Sequence, residues 1–339
     1  AVVAGQYIGR KDEKSACKAA TQLVWFVSLS AVAIMILVYF GKDIILNQVF
    51  GHITAEVKGH ADIYLLIVTA SIPFIGLFNG GAAIFRAMGN SQVSMRVSLL
   101  MNAINVTGNA ILVFGLRIGT AGVAIPTLIS RMVAAIVITV LLCNQTRILH
   151  IERTRKIRFD GRMIRKILAI GVPNGLENSM FQLGKILVLS LVSTFGTYAI
   201  AANAVSNAIA LPGMAISLAI TTVISQCVGA NDYEQVHYYL KKLLAIIYVA
   251  MVGTVALIFL ALPLILKAYN LSDQTAAAAT NIIHFHGISA MIIWPLSFAL
   301  PAAYRAAGDA KACMYTSIVS MWIFRIGFSY LVGKYMGLG

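Results

Sequence analysis

Residues 301-PAAYRAAGDAKACM-314 repeat, at an offset of 219, the earlier stretch 82-AAIFRAMGNSQVSM-95. A second pair, 221-TTVISQCVGANDYE-234 and 1-AVVAGQYIGRKDE-13, matches at an offset of 220. Two matches at nearly one offset indicate an internal duplication, so we predict two homologous lobes. We interpret the shared positions as gating or cytoplasmic loop motifs; they are Gln6, Gly9, Arg86 and Gly89 in the first copy and Gln226, Gly229, Arg305 and Gly308 in the second. The simplest role for the glycines is a positive φ where a helix ends.

The composition is that of a membrane protein. Hydrophobic residues make up 59% of the chain and charged residues 11%, against roughly 45–50% and 25% in soluble domains. Apolar windows of about 20 residues, enough to cross the hydrocarbon layer, recur along the chain. We therefore predict an all-α polytopic membrane protein with spans near residues 19–40, 61–85, 95–115, 120–143, 167–193, 198–224, 243–266, 277–300 and 312–333.

The positive charge follows the loops. One set of alternate loops carries 18 of the 26 Lys and Arg residues, and the other set carries five. This asymmetry predicts that the richer set, with the basic run at 144–166, lies in the cytoplasm. We therefore expect a multi-pass protein of the cell membrane, with the lipid bilayer as its surroundings and no nucleic-acid partner.

The duplication and the basic run suggest how the chain is divided. We predict an N-terminal lobe at 1–143, a cytoplasmic linker at 144–166 and a C-terminal lobe at 167–339. Parallel repeats of this kind are a secondary-transporter architecture, with the substrate site between lobes that rock against each other. Because the chain starts without Met and stops just after a predicted span, we interpret it as a fragment.

The predicted span at 167–193 has a polar face. Eleven of the twelve acidic residues lie in loops or at helix ends, and Glu177 is the exception. An ionisable group inside a span is costly and by default functional. At about 100° per residue, the residues that share one face with Glu177 over about 16 Å are Asn174, Asn178, Gln182 and Lys185. We predict that Glu177 is an ion-coupling site, tuned by Lys185 and by Arg325 of the last span, on a face that lines a polar cavity. The alternative is that these charges only specify helix packing.

Two further stripes of amides occur in predicted spans. Asn102, Asn105 and Asn109 are spaced by three and four residues in the first lobe, and Asn203 and Asn207 are spaced by four in the second. Amides at such positions either join helices or line a substrate path. Both interpretations stay open from the sequence.

No enzymatic motif accompanies these features. The sequence contains no G-x-x-x-x-G-K-[ST] phosphate loop, no G-x-S-x-G and no H-E-x-x-H, so neither ATP coupling nor hydrolysis is encoded by a known motif. The four cysteines have no metal-site spacing. We therefore expect no enzyme activity, no metal and no cofactor beyond a coupling ion.

Three segments together resemble bacterial members of the multidrug and toxic compound extrusion (MATE) family, within the larger flippase-type exporter superfamily. They are GVPNGLENSMFQLGK, the loop QYIGRKDE with its copy QCVGANDYE, and WPLSFALPAAYRAAGDAKACMYTSIVSMWIFRI. The resemblance runs from end to end of the chain. It implies twelve helices in two six-helix lobes, of which this chain would lack the first, most of the second and the last.

The resemblance also implies a function. Members of the family export cationic, amphipathic drugs and dyes in exchange for Na⁺ or H⁺, through an outward-open cavity between the lobes. Many carry a coupling carboxylate about one turn deeper on the seventh helix, where this chain has Phe181 and Gln182, so Glu177 is an acid at a different depth. A tenth-helix carboxylate of some Na⁺-coupled members has no match at 277–300, which leaves both coupling ions open.

We predict an ion-driven antiporter that exports small cationic compounds and functions as a monomer. Gln182, Asn178, Asn203 and Asn207 would line its cavity. The nearest alternative is a lipid-linked oligosaccharide flippase of the same fold, supported by the basic residues Arg131, Lys185 and Arg325. A channel and an integral membrane enzyme are weaker alternatives.

Overall fold

A computed structural model describes residues 1–44, 46–47, 55–151, 160–208, 213–269 and 271–335. The regular secondary structure in these ranges is helical, and they contain no strand. The chain forms two compact units, Val3–Ile167 and Leu168–Gly339. The predicted linker at 144–166 belongs to the first unit, and residues 152–159 of that linker lie outside the described ranges.

The helices of each unit are introduced here in chain order. The first unit contains α1 (Val2–Gly9), α2 (Glu13–Ile44), α3 (Ala55–Ala70), α4 (Ile72–Ala87), α5 (Ser91–Asn109) with a π-helical continuation at Ala110–Gly115, and α6 (Thr120–Leu142). The second unit contains α7 (Gly161–Val192, which begins in the first unit), α8 (Thr197–Ala208), α9 (Gly213–Gly229), α10 (Tyr233–Tyr269), α11 (Asp273–Trp294), α12 (Leu300–Ala307) and α13 (Ala310–Ser320). A 3₁₀ turn follows α7 at Ser193–Phe195, and π-helical segments lie at Pro295–Ala299, Met321–Phe328 and Leu331–Tyr335.

Seven continuous helical stretches of the described residues are long and apolar enough to cross a membrane. They are Glu13–Ile44, Glu56–Ala87, Ser91–Gly115, Thr120–Leu142, Tyr233–Tyr269, Asp273–Ala307 and Ala310–Gly333. Helix α7 is also long enough, at about 48 Å, but its polar residues keep it out of this set. The predicted span at 198–224 includes residues 209–212, which lie outside the described ranges. The protein is therefore an all-α multi-pass membrane protein.

The predicted duplication is confirmed by hydrogen bonds at the helix ends. Two backbone hydrogen bonds of the first copy recur 220 residues later. Lys11 N donates to Ile8 O, as Asn231 N does to Val228 O, and Asp12 N donates to Tyr7 O, as Asp232 N does to Cys227 O. In the other motif, Ser94 Oγ donates to Ala82 O at 3.0 Å, and Cys313 Sγ donates to Pro301 O at 3.6 Å. Those two bonds are 219 residues apart, so each copy of a motif folds as the same helix-to-helix connection.

The positive φ angles follow the duplication but correct one prediction about glycine. Gly89 and Gly308 have φ of +78° and +107°, as expected where α4 and α12 end. Gly9 and Gly229 do not have positive φ; the positive φ falls two residues later in both copies, at Lys11 (+59°) and Asn231 (+63°). The prediction for Gly9 and Gly229 was wrong because both helices continue through the glycine and turn only afterwards.

Small residues permit close helix packing in each unit. A Cβ added at Gly81 of α4 would lie 2.8 Å from Ile138 Cγ1 of α6, and one at Gly287 of α11 would lie 2.7 Å from the Phe259 ring of α10. In a membrane, helix association depends on such van der Waals packing rather than on expulsion of water. These contacts join α4 to α6 in the first unit and α10 to α11 in the second.

Asp160 provides a pH-dependent contribution to stability at the start of α7. Its carboxylate accepts from the amides of Arg162 and Met163 and from Lys18 Nζ at 2.5 Å, and the Lys18 bond is the main reason that the pKa of Asp160 lies below its ordinary 3.8. A lowered folded-state pKa contributes stability above pH 3.8 that is lost as pH falls through the folded value. Asp160→Asn keeps a good N-cap, so we expect a small loss of Tm at pH 7 that shrinks as the pH falls below 3.8. A Tm difference unchanged between pH 7 and pH 3 would contradict the ion-pair origin.

Candidate functional site

The candidate site is centred on Glu177, in the middle of α7. Its carboxylate accepts hydrogen bonds from Arg305 Nη1, at 3.0 Å to Oε1 and 2.9 Å to Oε2, and from Ser317 Oγ at 3.0 Å to Oε1. The side chains of Glu177 and Arg305 are only 17% and 21% exposed. Arg305 lies in the last turn of α12 and Ser317 in α13, so one carboxylate joins three helices of the second unit.

The counter-charge of Glu177 differs from the one predicted. Lys185 and Arg325 do not form its ion pair in the structure; both side chains lie over the ring of Phe181, with Lys185 Nζ 5.1 Å and Arg325 Cζ 4.7 Å from the ring centroid. Lys185 is eight residues from Glu177, which is about 12 Å along a helix. The predicted assignment of these two cations as partners of Glu177 is therefore corrected in favour of Arg305.

From the sequence alone, Arg305 was predicted only as part of a loop motif. Its position three residues before Gly308 indicated the end of a helix, and the structure places it in the last turn of α12, facing α7. The sequence carried no spacing signal that linked it to Ser317, because Arg305 lies three residues before the turn at Gly308 and Ser317 lies nine residues after it. Pairing with Glu177, 128 residues away, could not be derived from local spacing.

The other polar residues of α7 form a surface beside this ion pair. Asn174 is half-buried, whereas Asn178 and Gln182 are exposed. Asn178 Nδ2 donates to the carbonyl oxygen of Asn174 at 2.7 Å, so that amide is satisfied within its own helix. The predicted polar face of α7 is thus present, with a half-buried acid at its centre and exposed amides beside it.

An aromatic cluster lies next to Lys185 and Arg325. Phe181 of α7 meets Phe298 edge to face at 6.2 Å between ring centroids, and Phe298 stacks on Trp294 at 5.1 Å. Phe298 belongs to the π-helical segment that begins at Pro295. The cluster therefore combines α7, the end of α11 and, through Arg325, the segment after α13.

One residue of the asparagine stripe in the first unit, Asn105, joins two helices. Asn105 Nδ2 donates to Thr127 Oγ1 of α6 at 3.1 Å, and Asn109 Nδ2 donates to Asn105 Oδ1 at 3.1 Å. Asn109 Oδ1 is buried without a hydrogen-bond partner among the described residues, and Asn102 is exposed. The Asn105 bond to Thr127 fits the helix-joining interpretation, whereas the Asn109 bond lies within α5.

The remaining amides and the duplicated loop residues are placed as follows. In α8, Asn207 Nδ2 donates to Asn203 O at 2.8 Å and to Asn203 Oδ1 at 3.1 Å. Gln6 and Gln226 lie half-buried in α1 and α9, three residues before Gly9 and Gly229.

Arg86 and Arg131, two arginines of the first unit, form no ion pair with an acid in the described ranges. Arg86, the copy of Arg305, is half-buried and has no ion pair there. Arg131 Nη1 donates to the buried Ser71 Oγ at 2.6 Å. Of the two duplicated arginines, Arg305 in the second unit is therefore neutralised by a carboxylate. Arg86 in the first unit is not neutralised by any described carboxylate.

The described residues contain no cluster of three or more His, Cys, Asp or Glu side chains that could hold a metal ion. The four cysteines are free thiols. The charged side chains around the candidate site in the second unit are Glu177 and Arg305, which pair with each other, and Lys185 and Arg325, which lie over the Phe181 ring.

Comparison with known proteins places this site in context. A family model described as MatE matches residues 1–111 and 173–331. The uncharacterized transporter YisQ of Bacillus subtilis is 26% identical over 352 aligned positions, which cover 100% of this chain and 75% of YisQ. The probable multidrug resistance protein NorM of Thermotoga maritima is 22% identical over an alignment that covers 95% of this chain and 71% of NorM.

A solved structure shares the fold. It is the outward-facing conformation of a multidrug resistance MATE family transporter of the MOP superfamily. The two structures superpose with a TM-score of 0.89 and 20% sequence identity, over 97% of this chain and 74% of the transporter chain. This likeness supports the twelve-helix type of fold with two homologous six-helix lobes.

Proposed function

The chain belongs to the MatE family, and from this premise we propose that it is a secondary active transporter that exports amphipathic drugs or toxins, cationic ones included, in exchange for Na⁺ or H⁺. Relatives named as multidrug resistance proteins, which match nearly the whole chain, support the export of such compounds. The protein works in the cell membrane as a monomer, with the basic segment 144–166 in the cytoplasm. Transport proceeds by alternating access and requires no cofactor beyond the coupling ion.

The observation that carries the proposal is the Glu177–Arg305 pair in the second unit. A carboxylate inside a spanning helix is costly to keep charged, and here one guanidinium and one hydroxyl stabilise it. A group of this kind can exchange one positive partner for another. In the proposed cycle, Na⁺ or H⁺ replaces the Arg305 guanidinium on the Glu177 carboxylate.

The exchange of partners gives a physical link between ion binding and helix movement. Arg305 and Ser317 lie on α12 and α13, which are joined by the tight turn at Gly308. When an ion neutralises Glu177, α7 loses its strongest polar bond to these two helices. Ion binding thereby lowers the free-energy cost of moving α12 and α13 away from α7, which is the differential interaction that a coupled change of state requires.

The test is efflux of a fluorescent cationic dye from proteoliposomes under an imposed pH gradient or an imposed Na⁺ gradient. Wild type should move dye with one of the gradients, and that gradient identifies the ion. Glu177→Gln should lower the gradient-driven rate by at least about tenfold, because a neutral amide cannot exchange a cation. Glu234→Gln, which removes an exposed acid from the first turn of α10, is the matched control and should transport like wild type.

Two results would contradict this proposal in different ways. If neither gradient moves dye in the wild type, dye export is wrong. If Glu177→Gln transports with the full gradient dependence, export stands, and Glu177 is a structural group.

A further inference from the structure

Lys185 and Arg325 form an unusual pair of cations in the second unit. They come from two separate segments, α7 and the π-helical segment after α13, yet they lie 5.1 Å and 4.7 Å from the centroid of one ring, Phe181. A ring face attracts a cation, and this offsets part of the cost of removing the charge from water. Two like charges on one ring also repel each other, so the ring alone does not explain the pair.

Neither cation has a carboxylate partner among the described residues. All five acids of the second unit are described: Glu177, Asp232, Glu234, Asp273 and Asp309. Glu177 is occupied by Arg305, and the other four lie at or next to the first residues of α10, α11 and α13. Charges in a spanning region normally pair with an opposite charge or a ligand, so the missing negative charge is expected from outside the protein.

The surroundings of the two cations fit an aromatic body attached to that negative charge. Phe298 meets the edge of Phe181 and stacks on Trp294, and Phe298 is still 38% exposed. A flat apolar group can therefore stack beside the cations without displacing a protein side chain. Aromatic groups packed in this way favour offset or edge-to-face arrangements with a further ring.

A side-chain contact joins the two segments that carry the cations. A Cβ added at Gly184, next to Lys185, would collide with Sδ of Met321, which lies one turn before Arg325. The Met321 side chain therefore packs on Gly184, so α7 and the last segment are in contact beside the two cations.

We propose that Lys185, Arg325 and Phe181 form a binding site for the anionic group of an amphipathic aromatic compound, such as a carboxylate, sulfonate or phosphate. The proposal rests on the proposed export function for its biological meaning, and it adds organic anions to the substrate class. The same chemistry could be presented by a soluble compound or by the head group of an anionic lipid.

The test measures equilibrium binding to the full chain in nanodiscs of phosphatidylcholine, using two probes with the same ring: 2-naphthalenesulfonate and 2-naphthyltrimethylammonium. Wild type should bind the sulfonate at least about tenfold more tightly than the ammonium compound. Lys185→Gln and Arg325→Gln should each weaken sulfonate binding by about tenfold, without weakening binding of the ammonium compound. Arg325→Lys, which keeps the charge, should retain most of the sulfonate affinity.

Lys242 supplies the matched control. Its Nζ also lies over an aromatic ring, 5.4 Å from the centroid of Tyr238, but near the start of α10 and away from Phe181. Lys242→Gln should leave sulfonate binding unchanged. Equal binding of both probes by the wild type, or equal losses with Lys242→Gln and Lys185→Gln, would overturn the proposal.

Two further measurements show whether the anion is a soluble compound or a lipid head group, and whether the export proposal and the anion site fail independently. Nanodiscs with added phosphatidylglycerol should leave sulfonate binding intact if the site takes soluble compounds, whereas a lipid head-group site would be filled and sulfonate affinity would fall. Dye efflux is measured in parallel. If dye efflux fails but the protein still prefers the sulfonate, the export proposal is wrong and the anion site stands. If dye efflux works but the protein shows no preference for the sulfonate, the anion site is wrong and the export proposal stands.

Discussion

Replacing Arg305 by methionine should destabilise the second unit by about 3 kcal/mol, near the lower end of the range for breaking a buried ion pair. The substitution keeps an unbranched side chain, but this side chain is shorter and lacks the guanidinium, so the Glu177 carboxylate is left with Ser317 as its remaining partner. Both members of the pair are mostly buried, at 17% and 21% exposure, so water replaces the guanidinium only in part. The measurement is unfolding by SDS in mixed micelles, followed by tryptophan fluorescence.

Two controls separate the ion pair from a general effect of removing arginine. The double variant Glu177→Gln with Arg305→Met should recover most of the loss, because it removes both charges together. Arg86→Met removes the duplicated arginine of the first unit, which has no ion pair among the described residues, and should be close to neutral. If the effects of Glu177→Gln and Arg305→Met simply add in the double variant, the pair contributes nothing as a pair.

This stability measurement also constrains the transport test. A Glu177→Gln variant that unfolds would lose efflux for a trivial reason, whereas the Glu177→Gln, Arg305→Met double variant is expected to fold without the exchangeable carboxylate. Loss of gradient dependence in a stable double variant would therefore support exchange at Glu177, since folding is then preserved.

The general fold was predictable because it depends on patterns repeated along the chain. Apolar windows predicted the long helices, and the duplicated motifs predicted homologous lobes; hydrogen bonds at offsets of 219 and 220 confirm the duplication. The turn geometry was only half predictable. Gly89 and Gly308 adopt positive φ, but in the other motif Lys11 and Asn231 do so instead of the preceding glycines.

The candidate site was predictable along one helix but not between helices. The 100° rotation per residue placed Asn174, Glu177 and Asn178 on one face of α7, and the structure keeps them together. The partner of Glu177 depends on where α12 ends and how α13 turns back, which local spacing does not contain. Arg325 was the obvious cation by its depth in the last span, yet in the structure it lies over Phe181.

The second large effect is expected at Gly108, where α5 crosses α6. A Cβ added there would lie 2.7 Å from Cβ and 3.0 Å from Cγ of Pro126. A proline ring is tied to its own backbone and cannot rotate away, so the two helices must separate to admit one methyl group. Gly108→Ala should therefore destabilise the first unit by about 1–3 kcal/mol, the usual cost of overpacking.

The matched control for this prediction is Gly59→Ala in α3, because an added Cβ there meets nothing within 4 Å. Alanine is the better helix former, so this variant should be stabilised by about 0.5–1 kcal/mol. Unfolding in mixed micelles should then give opposite signs for two chemically identical substitutions. A stabilised Gly108→Ala would mean that α5 and α6 can separate at little cost, and the hydrogen bond between Asn105 and Thr127, which joins the same two helices, would then be too weak to hold them in register.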